Sequence, residues 1–129
     1  MKKELFESAS QVRKSAHAPY SKFKVGAALK TKSEKIFTGC NVENASYGGT
    51  VCAERVAILK AVSEGESKFD EIVVVAESKN LVPPCAFCLQ VMAEFCKPNF
   101  KVHLADKTSI KKTYSLKELL PHPFNSDFL

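Results

Sequence analysis

At 129 residues, with 45% hydrophobic and 26% charged side chains, the chain can bury one self-sufficient core and is too apolar for a disordered segment. Five Gly and six Pro exclude collagen-like or low-complexity sequence, and no apolar stretch approaches the roughly 18 to 20 residues of a membrane-spanning helix. The net charge of +5 is spread over 19 scattered basic residues, without the basic and aromatic strip on which single-stranded nucleic acid stacks, so neither a membrane nor a nucleic acid is expected as a partner.

The opening Met1-Lys2-Lys3-Glu4 is basic but has no apolar segment behind it, which gives a cytoplasmic setting as the expectation. Leu5, Ala9, Val12 and Ala16 then form one stripe of an amphipathic helix, which should end before Ala18-Pro19. Two strands are expected at about 25–30 and 36–42, joined in a hairpin by Thr31-Lys32-Ser33-Glu34. Asn44 to Gly49 reads as a loop. A helix over about 52–63 carries apolar residues nearly all round and should be buried on most sides.

The β-branched run Ile72-Val73-Val74-Val75-Ala76 marks a strand covered on both faces. Pro83-Pro84 closes a loop before a third helix over about 85–96. Short strands near 102–104 and 110–114 and a helix over about 115–120 complete the chain. Strand-helix-strand units imply parallel pairing with right-handed crossovers. The expected fold class is α/β: one domain over residues 1–129, a three-layer α/β/α arrangement around a mixed sheet of about five strands.

Five cysteines in a chain expected in the cytoplasm call for something other than disulfides. Cys85 and Cys88, as Cys-Ala-Phe-Cys, place two sulfurs on one face at the start of a helix. Cys52 opens the preceding helix. If the two helices begin side by side, three thiols meet where helix N-termini favour thiolates. Three thiolates suit Zn²⁺ and leave one tetrahedral position for solvent, as a catalytic site requires. Cys40 or Cys96 as a fourth ligand would instead make a closed structural site. A redox role for Cys85-x-x-Cys88 is a further alternative, but leaves Cys52 and Glu54 unexplained. Glu54, two residues after Cys52, is either a first-turn acid favoured by the helix dipole or a carrier for the proton of an activated water. His17, His103 and His122 have no paired ligand spacing and read as structural or surface residues.

Cys52-Ala53-Glu54 followed by Pro84-Cys85-Ala86-Phe87-Cys88 matches the signature of zinc-dependent base deaminases. The match extends through Ala18-Pro19-Tyr20-Ser21-Lys22-Phe23-Lys24-Val25-Gly26-Ala27-Ala28, Gly39-Cys40-Asn41-Val42-Glu43-Asn44-Ala45 and Leu119-Leu120-Pro121 with Phe124 behind it. On these residues the chain closely resembles the small cytidine deaminases of the homotetrameric class. The resemblance implies one zinc per subunit on Cys52, Cys85 and Cys88, with Glu54 moving protons between water, the ring nitrogen and the leaving amine. It implies that Asn41 and Glu43 bind the sugar, that Phe23 packs on the base, and that the Ala53 N–H and the Cys85 C=O meet the base edge. Tyr47 and Phe124 resemble residues that a neighbouring subunit supplies, so shared active sites in a homotetramer are expected.

A Zn²⁺ on three thiolates carries one net negative charge, which should weaken activation of its water. Arg55, three residues after Cys52, is placed to offset that by donating to the sulfurs. The chain departs from the family at Phe87 and Leu89, where the common pattern is Cys-Gly-Ala-Cys-Arg-Gln, and at Gly48-Gly49-Thr50-Val51. A polynucleotide deaminase of the same superfamily is the rival enzyme reading, and a non-catalytic zinc-binding module the rival outside enzymes.

Overall fold

The computed structural model describes residues 2–129, and Met1 lies outside them. Helix α1 (Lys2–Arg13) buries Leu5 and Ala9, one turn apart. Its stripe stops short of Ala16, because the next residues are needed in extended form. His17 N–H donates to the Asn41 carbonyl and its own carbonyl accepts from Glu43 N–H, so His17 lies as a short parallel bridge beside Val42. A helix would have turned those groups inward.

Strands β1 (Val25–Thr31) and β2 (Ile36–Cys40) form the expected antiparallel hairpin, with Gly26 opposite Cys40 and Lys30 opposite Ile36. After a 3₁₀ turn at Tyr47–Gly49 come α2 (Ala53–Ser63), β3 (Phe69–Ala76), α3 (Ala86–Phe95), β4 (Lys101–Ala105), β5 (Ile110–Ser115) and α4 (Leu116–Leu119). The sheet order is β2-β1-β3-β4-β5. Only β3 and β4 pair in parallel, across the α3 crossover; the other neighbours are antiparallel. A capping box between Ser115 and Glu118 starts α4.

Side-chain alternation along the strands divides the core into two layers. Ala28, Val73, Val75 and Ala105 pack under Leu5 and Ala9 of α1. Ala27, Leu29, Ile72, Val74, Val102 and Leu104 pack under Ala57, Ile58 and Ala61 of α2 and Met92 of α3. The α/β/α layering around a mixed five-stranded sheet is therefore as expected. Two glycines let the helices lie flat on it. A Cβ at Gly26 would stand 2.1 Å from the Ala9 carbonyl oxygen, and one at Gly39 would stand 2.5 Å from both the Ala53 oxygen and the Ala57 nitrogen. Gly39 thus sets the depth at which α2, and with it the start of that helix, seats on β2.

Helix α2 is less enclosed than its sequence suggests. Ala53, Glu54, Ala57, Ile58 and Ala61 are buried, but Leu59 is half exposed. The core covers the Ala57, Ile58 and Ala61 side, with Val62 packed against it, so Leu59 is the apolar residue of α2 that faces away. His103 is structural, as expected: it is fully buried, with Nε2 2.8 Å from Glu71 and Nδ1 2.7 Å from Thr113.

Strands β2 and β3 run in the same direction, with β1 reversed between them. Helices α2 and α3 each follow one of these strands and share a face of the sheet. Their N-termini therefore meet outside the carboxyl ends of the strands, where open α/β sheets form a crevice.

Candidate metal centre and active site

Cys52 and Cys85 are the residues immediately before α2 and α3, at the N-cap of each helix, with extended backbone. Neither sulfur caps its own helix. Cys88, one turn into α3, is fully buried. The Cys52 and Cys85 sulfurs are 3.7 Å apart and those of Cys85 and Cys88 3.5 Å, with all three within 4.8 Å of one another. Zn–S bonds of about 2.3 Å in a tetrahedron require S···S edges of about 3.8 Å, so the donor set and its spacing fit zinc. The nearby Cys88 thiol, aided by Arg55, draws Cys52 down to about 5, while Cys52 and burial push Cys88 up.

Cys96, offered as a fourth ligand by the closed-site alternative, is at the far end of α3 from Cys85. Ten helical residues at about 1.5 Å each keep it about 15 Å away. Cys40 ends β2 and does not join the group, which contains only the three sulfurs among the described residues.

Glu54 lies on the first turn of α2 and is 5% exposed. Burial, and then the charge of Cys52, push its carboxyl up to about 7. A group so placed both takes and gives a proton near neutral pH. An ordinary first-turn acid stands in water, and Glu54 does not.

A cavity of ≈180 Å³ opens over the sulfurs. Phe23, Asn41, Cys52, Ala53, Glu54 and Cys85 line it together with Val25, Thr50, Val74, Ala76, Val82 and Pro83. The expected site residues Phe23, Asn41 and Ala53 are thus brought together with Cys52, Glu54 and Cys85. Glu43 lines an adjoining cavity with Tyr20, Ser21, Asn44, Tyr47 and Thr50, and Thr50 is common to both. Tyr47 is 79% exposed, with its ring edge-on to Tyr20 at 6.4 Å. Phe124 does not reach either cavity of its own chain. Its carbonyl accepts from Gln90 Nε2 and its exposed ring stacks on Phe128.

Asn41 braces the chain as well as facing the cavity. Its Oδ1 accepts from Val25 N–H at 2.8 Å and its Nδ2 donates to the Phe23 carbonyl at 2.8 Å. One N–H and one lone pair of the amide remain for a ligand. Glu43 accepts at Oε1 from the Tyr20 and Ser21 amides and at Oε2 from the Ser21 hydroxyl, and these bonds hold its carboxyl below the usual carboxylate range. Arg55 lies where the sequence places it, with Nη2 3.8 Å from the Cys52 sulfur and 3.4 Å from the Thr50 carbonyl. Its buried Nε has no partner. Phe87, the bulky departure in the metal helix, stays outside the cavity, 73% exposed, and its ring sits 5.7 Å from the Arg55 guanidinium carbon. It supports the cation beside the sulfurs and does not narrow the space above them.

Sequence reasoning gave no role to Ser21, Thr50, Val82 or Pro83. Only Ser21 carried a local signal, a Ser-x-Phe step in which the hydroxyl accepts from an amide two residues on.

Comparison with known proteins agrees with this geometry. Residues 1–104 match the family described as "Cytidine and deoxycytidylate deaminase zinc-binding region". A cytidine deaminase of Halalkalibacterium halodurans is 47% identical over 123 residues, 95% of this chain and 93% of that protein. One of Sporosarcina psychrophila is 44% identical over 126 residues, 97% of this chain and 92% of that protein. The crystal structure of cytidine deaminase from Burkholderia pseudomallei superposes with a TM-score of 0.91 at 45% identity, over 96% of this chain and 99% of that one.

Proposed function

The chain belongs to the cytidine and deoxycytidylate deaminase family, and on that premise we propose that it converts free cytidine and deoxycytidine to uridine and deoxyuridine, releasing ammonia. The observation that carries this reading is a cluster of three sulfurs, two of whose cysteines, Cys52 and Cys85, line one small cavity together with a buried carboxyl held near neutral pKa. When bound by Cys52, Cys85 and Cys88, zinc supplies Lewis acidity that brings a water's pKa toward about 7. Glu54 would take one proton of the attacking water and give it to the ring nitrogen while the water oxygen bonds to the adjacent amino-bearing carbon. It would then take the second proton from the hydroxyl so formed and deliver it to the amine, which leaves as ammonia as the C–N bond breaks and the C=O forms.

Phe23 packs on the base, and the Ala53 N–H, one of the orphan donors of a helix start, meets its edge together with the Cys85 carbonyl. Asn41 and Glu43 bind sugar hydroxyls through the hydrogen-bonding capacity they have left. The ionised Glu43 at the outer cavity also argues against a polynucleotide, whose phosphates it would repel. Half-exposed Leu59 and exposed Phe87, Tyr47 and Phe124 support a homotetramer in which Tyr47 and Phe124 complete a neighbour's site. We place residues 1–129 as one catalytic unit acting in the cytoplasm, in pyrimidine salvage. No helix among the described residues is long and apolar enough to cross a membrane.

Arg55 draws charge from the sulfurs through its contact with Cys52. Arg55→Ala should therefore lower kcat/KM about 10- to 100-fold, the usual cost of losing such a partner of a metal ligand. The acidic limb of its pH–rate profile should move to higher pH, because protons then compete better for the Cys52 sulfur. An unchanged rate and profile would make Arg55 a solvated helix residue. The function itself is tested by incubating zinc-loaded protein with cytidine and following the fall of its ultraviolet absorbance and the release of ammonia. Loss of ammonia from single-stranded DNA or RNA instead would transfer the activity to polynucleotides, and a metal-bound protein inert to all three would leave a structural zinc site.

A further inference from the structure

We infer that Ser21 is a positioning residue for the sugar-binding carboxylate, an inference that rests on the nucleoside reading given above. Among the described residues no cationic side chain forms an ion pair with Glu43. Its Oε1 accepts two consecutive backbone amides, Tyr20 and Ser21, each at 3.1 Å, and its Oε2 accepts the Ser21 hydroxyl. Such successive N–H groups form a small concavity suited to an anion. The chain is bent to make it. Lys22 sits in the left-handed region at φ 62°, and its N–H closes a turn onto the Ala18 carbonyl. That conformation is uncommon for a lysine and persists only where the surroundings over-determine it.

Around the turn, residues 17–25 are tied to 41–43 by His17, Asn41 and Val25. Ser21 is exposed, so its hydroxyl has water available in place of the carboxylate. The Phe23 amide donates to that hydroxyl at 3.0 Å, so Ser21 stands as both acceptor and donor in a fixed orientation. An ionised carboxylate offers about four lone-pair directions, and three are used by Tyr20 and Ser21. What remains is on Oε2, the oxygen whose direction the Ser21 hydroxyl sets. Ser21 therefore determines where Glu43 accepts a sugar hydroxyl, and by donating to the charged form it keeps the group an acceptor.

This placement acts on the sugar, remote from the bond that breaks, and the loss should appear in binding with the chemical step intact. In Ser21→Ala, KM for cytidine should rise about tenfold with kcat within about twofold of wild type, the scale of one charge-assisted hydrogen bond. Ser21→Thr keeps a hydroxyl and should restore KM to within about threefold of wild type. The deciding measurement is a double-mutant cycle: in a Glu43→Ala background, Ser21→Ala should change KM by less than about twofold, because its target is gone. The same variant should leave KM for 2′,3′-dideoxycytidine unchanged. A Ser21 that merely braces the Phe23 loop would give equal losses in both backgrounds and on both nucleosides, and that result, or no effect of Ser21→Ala at all, overturns the inference. An active wild type with additive variants removes this role alone. A zinc-loaded wild type inert to cytidine removes the deaminase reading, and this inference with it.

Discussion

Glu54→Gln is expected to fold, retain one zinc per chain and lose turnover of cytidine by at least about 10²- to 10⁴-fold, the range supplied by a positioned proton carrier. The amide fills the space of the carboxyl on the first turn of α2, so neither the seat of that helix on Gly39 nor the three sulfurs should move. What it cannot do is take a proton and give it back. Stability should separate this loss from damage to the fold. In the folded chain the Glu54 carboxyl keeps its proton up to about 7, above its ordinary 4.5. A group whose folded pKa is raised in this way lowers the stability of the folded state as pH climbs between those two values, because the unfolded chain sheds a proton that the folded chain keeps. Glutamine carries no charge, so before zinc is added the variant should melt at or above the wild-type temperature at pH 7, and its melting should depend less on pH from 4.5 to 7. Loss of zinc, or a lowered melting temperature, would instead assign Glu54 to maintaining the site. Near-wild-type turnover would return it to the role of an ordinary first-turn acid.

The metal group was readable from sequence because its information is local. Cys85 and Cys88 are one helical turn apart, Pro83-Pro84 announces the helix start, and Cys52 marks another start in the same way. Only the meeting of the two helices had to be inferred, and the β2-β1-β3 order supplies it by pointing two strands the same way. The places where the reading fell short depend on partners distant in sequence. Helix α1 ends at Arg13 because His17 is claimed by Asn41 and Glu43, more than twenty residues later. β2 stops at Cys40, since the Asn41 side chain turns back to hold Phe23 and Val25 and leaves Val42 only isolated bridges. Leu59 looks like core because hydrophobicity along one chain cannot distinguish a core face from a face left outside that chain's own layers. Ser21 and Tyr20 look like loop residues, and only the fold shows that their donors converge on Glu43.

Cys88→Ser is expected to abolish zinc retention and lower kcat/KM by about a thousandfold or more, since Lewis-acid stabilisation amounts to several kcal/mol and about 1.4 kcal/mol is worth a factor of ten. Serine nearly preserves the volume of a fully buried side chain, so the core cluster that Cys88 shares with Met92 survives while the soft anionic donor is lost. Because metal bound only to the folded state adds to its stability, a chelator should lower the melting temperature of the wild type. It should leave Cys88→Ser unmoved, since that variant begins where the stripped wild type ends. Cys96→Ala and Cys40→Ser should keep one zinc per chain and at least half the activity, because Cys96 is a helix length away and Cys40 belongs to the end of β2. This contrast separates an open three-sulfur centre from a closed four-cysteine one. Were Cys40→Ser or Cys96→Ala to shed zinc as readily as Cys88→Ser, the fourth position would be filled by protein, and Glu54 would have no activated water from which to take a proton.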